Sequence, residues 1–281
     1  MKIQIPDYIQ VLIDLLNQNH YSAYVVGGAI RNALLGLPIH DYDLTTDATP
    51  DEMLQVFSSY RVFKTGIQHG TITVLSKGQP VEITTFRSEN TYEDHRHPSG
   101  VSFSDNIEED CKRRDFTINA MAVCLNKERF GELVDPFGGI DDLWDGIIRT
   151  PLDPDVTFSD DPLRMMRCVR FATQLNFFIE DETFEALERN AERIKIISGE
   201  RIEEELNKIM MTATPSKGFI ELYRCGLLQL ILPELVALDV VDTRNGRAHK
   251  NNFYHTLEVL DNICKHTDNL WLRWAALLHD V

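Results

Sequence analysis

Asp41 and Asp43 stand two residues apart in HDYDLTT. Carboxylates at that spacing on a strand point to one face, where they can bind a hard divalent cation together. An isolated pair of this kind also reads as a turn with solvated acids. Here it follows VVGGAIRNALLG, whose Gly27 and Gly28 let backbone N–H groups approach an anion at a helix N-terminus, while Arg31 adds a rigid positive fork. A phosphate cradle beside a metal-binding pair of acids suggests phosphoryl chemistry.

Further along, CKRRDFTINAMA places the guanidinium groups of Arg113 and Arg114 next to Asp115, which is either a nucleotide contact or a solvated helix end. Asp161, Arg164, Arg167 and Arg170 recur every three residues, so on a predicted helix over 161–174 they form a slanting stripe. Ion pairing within that helix is the plainer use of the same spacing. The stretch RNGRAHK carries Arg244, Arg247 and Lys250 and is a candidate basic surface for RNA.

The elements that must position these residues read as mixed α/β in the first half. Helical spacing of Tyr8, Val11, Leu12, Leu15 and Leu16 is followed by a short strand, AYVV, and a glycine turn into AIRNALLG. A strand is predicted over 40–46. Thr49 and Glu52 form a capping box with Pro50 at the first helical position, predicting a short helix in DEMLQVFSS. Strands over 61–64, 71–75 and 81–86 follow, the last two joined by SKGQ. Residues 87–106 are polar, turn-rich and aperiodic, a loop of about twenty residues, and loops of that length are usually functional. After Pro151 the pattern is almost wholly helical, with helices over 183–197, 200–212 and 215–228. A cut near residue 150 follows, and a polar, basic break at DTRNGRAHKNN precedes further helices from Phe253. The expected division is therefore 1–150, 151–235 and 236–281.

Composition narrows the function classes. The chain has 281 residues, 43% hydrophobic and 26% charged, which excludes collagenous, low-complexity and wholly disordered proteins. No apolar run approaches the ~18 residues of a membrane span, and the N-terminus lacks a signal-peptide layout, so a cytoplasmic protein with no membrane partner is expected. Lys plus Arg is 28 against 44 Asp plus Glu, a formal charge of −16, so nucleic acid must be held by local basic surface rather than bulk charge. Five cysteines at wide spacing, with no CxxC, fit neither a disulfide framework nor a structural zinc site.

In order along the chain, VVGGAIRNALLGLPIHDYDLTTDATPDEM, CKRRDFTINAMA, DPFGGIDDLWDG, DDPLRMMRCVRFA and SGERIEEEL closely resemble the class II tRNA nucleotidyltransferase and poly(A) polymerase family over about residues 20 to 210. The resemblance implies an α+β fold, with a mixed α/β nucleotidyltransferase head of the DNA polymerase beta superfamily type followed by an all-helical neck and body. It also implies extension of an RNA 3′ end from nucleoside triphosphates without a nucleic-acid template. Asp41 and Asp43 would then be the ligands of two Mg2+ ions, with Glu82 in VEITTF either a third ligand or a cross-strand surface glutamate. Gly28 and Arg31 would hold the nucleotide, Arg114 would contact it, and Asp115 would help read its ribose 2′-OH.

By the same resemblance Asp161 and Arg164 replace a template. Cytosine and adenine each offer an exocyclic amino donor beside a ring-nitrogen acceptor, which an acid and an arginine can match. Arg167 and Arg170 would hold the triphosphate. The family's usual first acid of that motif is Glu, and here it is Asp160. KTGIQHGTITV and EITTFRSENTYEDHRHP look like the CCA-adding branch, with tRNA 3′ ends, CTP and ATP as partners, and the long loop as the feature that lets one pocket take first C and then A. Addition of CC only, of A only, or of poly(A) are the alternatives. HTLEVLD and LLHD resemble the start of an HD domain in which His255, His279 and Asp280 match metal ligands and the final ligand is absent, so the segment is read as truncated. Helix packing is the preferred reading of His255 and His279. An HD-type phosphohydrolase, or an RNA-binding protein with a degenerate head, is the competing class, and the intact Asp41, Asp43, Arg114, Asp161 and Arg164 argue against it.

Overall fold

The computed structural model describes residues 3–89, 101–239, 241–244 and 247–281; the side chains of residues 88, 89, 101 and 241–250 are outside that description. Most of the expected loop, residues 90–100, and the basic side chains of Arg244, Arg247 and Lys250 thus lie outside the described residues. The chain forms two units, Met1–Asp145 with Arg149–Leu152, and Gly146–Ile148 with Asp153–Val281.

The first unit runs α1 (Asp7–Gln18), β1 (Tyr24–Val26), α2 (Gly28–Leu35), β2 (Asp43–Thr46), α3 (Pro50–Val56), β3 (Arg61–Phe63), β4 (Thr71–Ser76), β5 (Gln79–Thr85), β6 (Arg87–Glu89), β7 (Val101–Phe103), α4 (Ile107–Lys112), β8 (Ala122–Cys124), β9 (Leu133–Val134) and α5 (Gly139–Asp145). Seven strands form one sheet in the order β3-β4-β5-β2-β1-β8-β9. β2 and β5 pair in parallel and the other neighbours are antiparallel. Period-two alternation sorts the strand residues onto two faces. Val25, Leu44, Ile83 and Val123 join Ile9, Leu12, Ile13 and Leu16 of α1 in the main core. Tyr24, Val26, Phe86, Ala122 and Cys124 face the other way and pack with Cys111 of α4. Lys77 and Gly78, both with positive φ, make the tight β4–β5 turn. The capping box of Thr49 and Glu52 is present at α3. The flanks of the expected loop are ordered as the antiparallel pair β6 and β7.

The second unit contains β10 (Ile147–Ile148), α6 (Pro154–Asp160), α7 (Leu163–Leu175), β11 (Phe178–Ile179), α8 (Asp181–Asn190), α9 (Gly199–Met210), α10 (Pro215–Arg224), α11 (Leu227–Ile231), α12 (Pro233–Val236), β12 (Val241–Arg244), β13 (Arg247–Asn251), α13 (Asn252–Cys264) and α14 (Leu270–Leu277). α7 packs on α9 and α10, α6 on α8, and α13 on α10 and α14. The helical expectation holds with two short additions, the parallel pair β10–β11 and the antiparallel pair β12–β13. The sequence Asn245-Gly246 between the last two is a hairpin signal that the reading of this stretch as a break passed over. The single helix expected over 215–228 is two, because Gly226 takes the left-handed conformation (φ 82°) that ends helices. Arg273, 3% exposed, donates from Nη1 to the carbonyls of Met210 and Thr212 at 2.9 Å each and so closes the C-terminus of α9. No helix among the described residues is long and apolar enough to cross a membrane.

Candidate active site

β1 ends at Val26, which pairs with Asp43, and Gly27 (φ 70°, ψ −130°) then turns the chain into α2. That backbone conformation is open to glycine and strained for any other residue. With β1 only three residues long, His40, Asp41 and Tyr42 have no partner strand among the described residues. Asp41 therefore precedes β2 instead of lying on it, a correction to the strand expected over 40–46. The parallel register Leu44↔Ile83 puts Glu82 beside Asp43 on the sheet face opposite the main core.

Part of Asp43 reaches solvent, yet the protein crowded around its carboxyl raises its pKa, against the pull of the Arg114 guanidinium and with a further push from Asp41. Glu82 is raised by burial and then by the charges of Asp43 and Asp41. Repulsion among neighbouring carboxylates is the condition that a bound divalent cation relieves, although the oxygens of these three do not all lie within 4.8 Å of one another.

Around the glycine turn a buried polar network connects residues far apart in the chain. Arg31 donates from Nη1 to Asn119 Oδ1 at 2.6 Å, and from Nη2 and Nε to Asn32 Oδ1 at 3.0 and 3.1 Å. Asn119 Nδ2 in turn donates to Asp115 Oδ1 at 3.1 Å, which also accepts the Phe116 N–H at 2.9 Å. Arg114 donates from Nη2 to Asp110 Oδ2 at 3.0 Å. A Cβ added at Gly27 would lie 3.3 Å from Arg114 Nη1, whereas one at Gly28 would make an ordinary 3.5 Å contact with Arg31 Nη2. Gly27 is thus the glycine that the turn requires. Sequence reasoning missed Asn119 and Asp110. Asn119 lies inside DFTINAMA, and Asp110 sits three and four residues before Arg113 and Arg114, the spacing of a helical ion pair.

In the second unit, Asp161 is not helical. α6 ends at Asp160, and Asp161 is extended (φ −134°, ψ 96°) because the ring of Pro162 disfavours the helical conformation in the residue before it. Its Oδ1 accepts the Leu163 N–H at 3.2 Å, so it closes the first turn of α7 instead of riding on that helix. Between 161 and 170, Asp161, Arg164, Arg167 and Arg170 are the half-buried positions and the residues between them are buried. Burial raises the Asp161 carboxyl, and Arg164, Arg201, the Leu163 N–H and Arg167 oppose it. Arg201 Nη2 stands 3.8 Å from Asp161 Oδ2. Arg170 packs 4.1 Å from the Phe171 ring centroid and forms a 3.0 Å ion pair from Nε to Oε2 of Glu205, itself 3% exposed. Arg201 and Glu205 both belong to SGERIEEEL, where sequence reasoning assigned neither a partner.

His255 of α13 and His279, which follows α14, have ring centroids 6.1 Å apart, and His279 Nε2 lies 3.3 Å from Asp280 Oδ2. Among the described residues this is the one group of three His, Cys, Asp or Glu whose ligand atoms all lie within 4.8 Å of one another.

Residues 23–149 match the family described as "Poly A polymerase head domain", and residues 176–238 match "Probable RNA and SrmB- binding site of polymerase A". His255, His279 and Asp280 fall outside both spans. The chain is 44% identical over 210 residues to the CCA-adding enzyme of Ligilactobacillus salivarius, covering 75% of this chain and 50% of that protein. The CCA-adding enzyme of Bacillus stearothermophilus in complex with CTP superposes with a TM-score of 0.70 at 37% identity, over 79% of this chain and 53% of that one. A tRNA nucleotidyltransferase complexed with a primer tRNA and an incoming ATP analogue gives 0.72 at 25% identity, over 96% and 75%. The chain spans about half the length of the curated relatives it matches. Over residues 23–149 and 176–238 the chain thus carries the head and RNA-binding regions of the class II CCA-adding enzyme and poly(A) polymerase family.

Proposed function

We propose that this chain adds C, C and A to the 3′ end of tRNA without a template, using CTP and ATP and releasing pyrophosphate. The observation that carries the reading is the carboxylate set of Asp41, Asp43 and Glu82 beside the Gly27 turn, with Arg114 facing both. The relatives add the substrate class, since one is solved with CTP and another with a primer tRNA and an ATP analogue.

Two Mg2+ ions, held by Asp41 and Asp43 with Glu82 as a third carboxylate, would supply activation of the RNA 3′ hydroxyl and charge neutralisation on the leaving pyrophosphate. Gly28 at the start of α2 presents backbone N–H to phosphate, and Arg31, held by Asn119, sets positive charge behind it. Arg114 contacts the incoming nucleotide, and the Asp115 carboxylate accepts a hydrogen bond from the ribose 2′-OH, which selects against deoxynucleotides. Asp161 accepts from the exocyclic amino group of C or A, and Arg164 donates to the ring nitrogen. Uracil and guanine reverse that pattern and leave the pair unmatched. Arg167 and Arg170 provide charge for the triphosphate, Arg170 from its pairing with Glu205.

In this reading residues 1–150 are the head, 151–235 the neck and body, and 236–281 an HD-like start, in a protein of the cytoplasm. The test is incorporation of labelled nucleotide into a tRNA lacking its 3′ CCA. Incorporation that needs Mg2+ and disappears in both Asp41→Ala and Asp43→Ala is expected; normal turnover in both variants overturns the metal assignment.

A further inference from the structure

Asp110 is a fully buried acid, 0% exposed, that the steps above leave unused. A buried carboxylate persists only where partners satisfy it, and here both are arginines. Oδ1 accepts from Arg113 Nε and Oδ2 from Arg114 Nη2, each at 3.0 Å. Burial alone would raise this carboxyl, but the Arg113 and Arg114 guanidinium groups outweigh it and hold the carboxyl below its ordinary value. Arg114 is thereby fixed at one end by Asp110 while its Nη1 lies against the Gly27 turn and its charge acts on Asp43. Its Nε is buried with no hydrogen-bond partner among the described residues.

We infer that Asp110 is a positioning residue that acts through Arg114, fixing the guanidinium between the Gly27 turn and Asp43 so that it meets the anionic nucleotide. This rests on the nucleotidyl-transfer reading. An arginine close enough to act on Asp43 is drawn towards that charge, and an arginine that collapses onto it competes with the cation. Asp110 supplies a competing pull through its bond to Arg114 Nη2. Its role therefore reaches two quantities, nucleotide affinity and the cation requirement.

The experiment compares wild type, Asp110→Asn, Asp110→Glu, Arg114→Gln and the double variant Asp110→Asn/Arg114→Gln in the tRNA extension assay. KM for CTP, kcat, the half-saturating Mg2+ concentration and Tm are measured for each. Asp110→Asn should raise KM for CTP about tenfold or more, the loss expected for a charge-assisted hydrogen bond, and should raise the Mg2+ requirement. Asp110→Glu, which keeps the charge, should recover part of both. In the Arg114→Gln background, Asp110→Asn should change KM no further. A lowered Tm with unchanged KM and Mg2+ requirement makes Asp110 purely structural and overturns the inference, as does a full additional KM rise in the double variant. If Asp110→Asn does not fold, Asp110→Glu decides, since it displaces the charge by one methylene: a raised KM at near-native Tm supports the inference and an unchanged KM overturns it. Wild type that incorporates no nucleotide defeats the nucleotidyl-transfer reading itself, whereas active wild type with an unaffected Asp110→Asn defeats the Asp110 role alone.

Discussion

In the proposed reading Asp161 has two roles that substitution can separate. Its Oδ1 accepts the Leu163 N–H at the start of α7, and its side chain is 16% exposed, so the remaining oxygen is an acceptor in a largely desolvated place. Asp161→Ala removes both. Loss of the helix-start acceptor costs about 1 kcal/mol, which in a unit of this size lowers Tm by about 3–5 °C. Loss of the acceptor for the base amino group costs on the order of 1–3 kcal/mol of discrimination, roughly ten- to a hundredfold. Asp161→Asn keeps an oxygen for Leu163 N–H and turns the other position into a donor, so Tm should stay within ~1 °C while selection for C and A collapses. Burial raises the Asp161 carboxyl, so as pH falls it protonates earlier than an ordinary carboxylate, and wild-type selectivity should weaken in the same direction. The assay is the ratio of kcat/KM for CTP and ATP to that for UTP and GTP, with Tm measured in parallel. Equal losses with all four nucleotides, or native selectivity in Asp161→Asn, refute a base-reading role and leave Asp161 as a helix-start residue.

Mg2+ should raise the Tm of wild type, and Asp43→Asn should abolish both that rise and incorporation. Because the folded-state pKa of Asp43 is raised, stability falls as pH rises from the ordinary carboxylate value to the folded-state one and stays reduced above it, so in chelator at neutral pH the variant should be as stable as wild type or slightly more stable; a lower Tm in chelator contradicts the repulsion. Gly27→Ala forces a strained backbone at φ 70° and brings a methyl to 3.3 Å from Arg114 Nη1; it should cost about 1–3 kcal/mol and raise KM for CTP, and a native Tm would show that the turn tolerates a side chain. Arg273→Leu should lower stability by about 2–4 kcal/mol, because it strips the buried carbonyls of Met210 and Thr212 of their donor, and denaturant titration reads the loss.

Local chemistry was legible in the chain where neighbours in sequence settle it. The capping box of Thr49 and Glu52, the Lys77-Gly78 turn and the apolar spacing of α1 all report contacts within a few residues. Asp41 and Asp161 were placed on elements they do not join, for different reasons. The strand at Asp41 stops because β1, distant in sequence, runs out of residues to pair with, which periodicity cannot reveal. The helix at Asp161 stops because of Pro162, a signal present in the sequence and outweighed there by the i, i+3 spacing of the arginines. The Arg31–Asn119 bond spans 88 residues, and the Arg201–Asp161 pair joins two separate motifs, so both depend on tertiary packing. For Asp110, spacing alone suggests an ordinary surface ion pair; only its complete burial against the smaller core beside Cys111 makes it a candidate for positioning.

The most direct measurement of the central claim is an order-of-addition experiment on a tRNA ending at its discriminator base. CTP alone should extend it by two nucleotides and stop, ATP alone should give no product, and both together should give one product longer by three, ending in CCA. A ladder of adenylates from ATP alone, or continued growth with CTP, would contradict that claim.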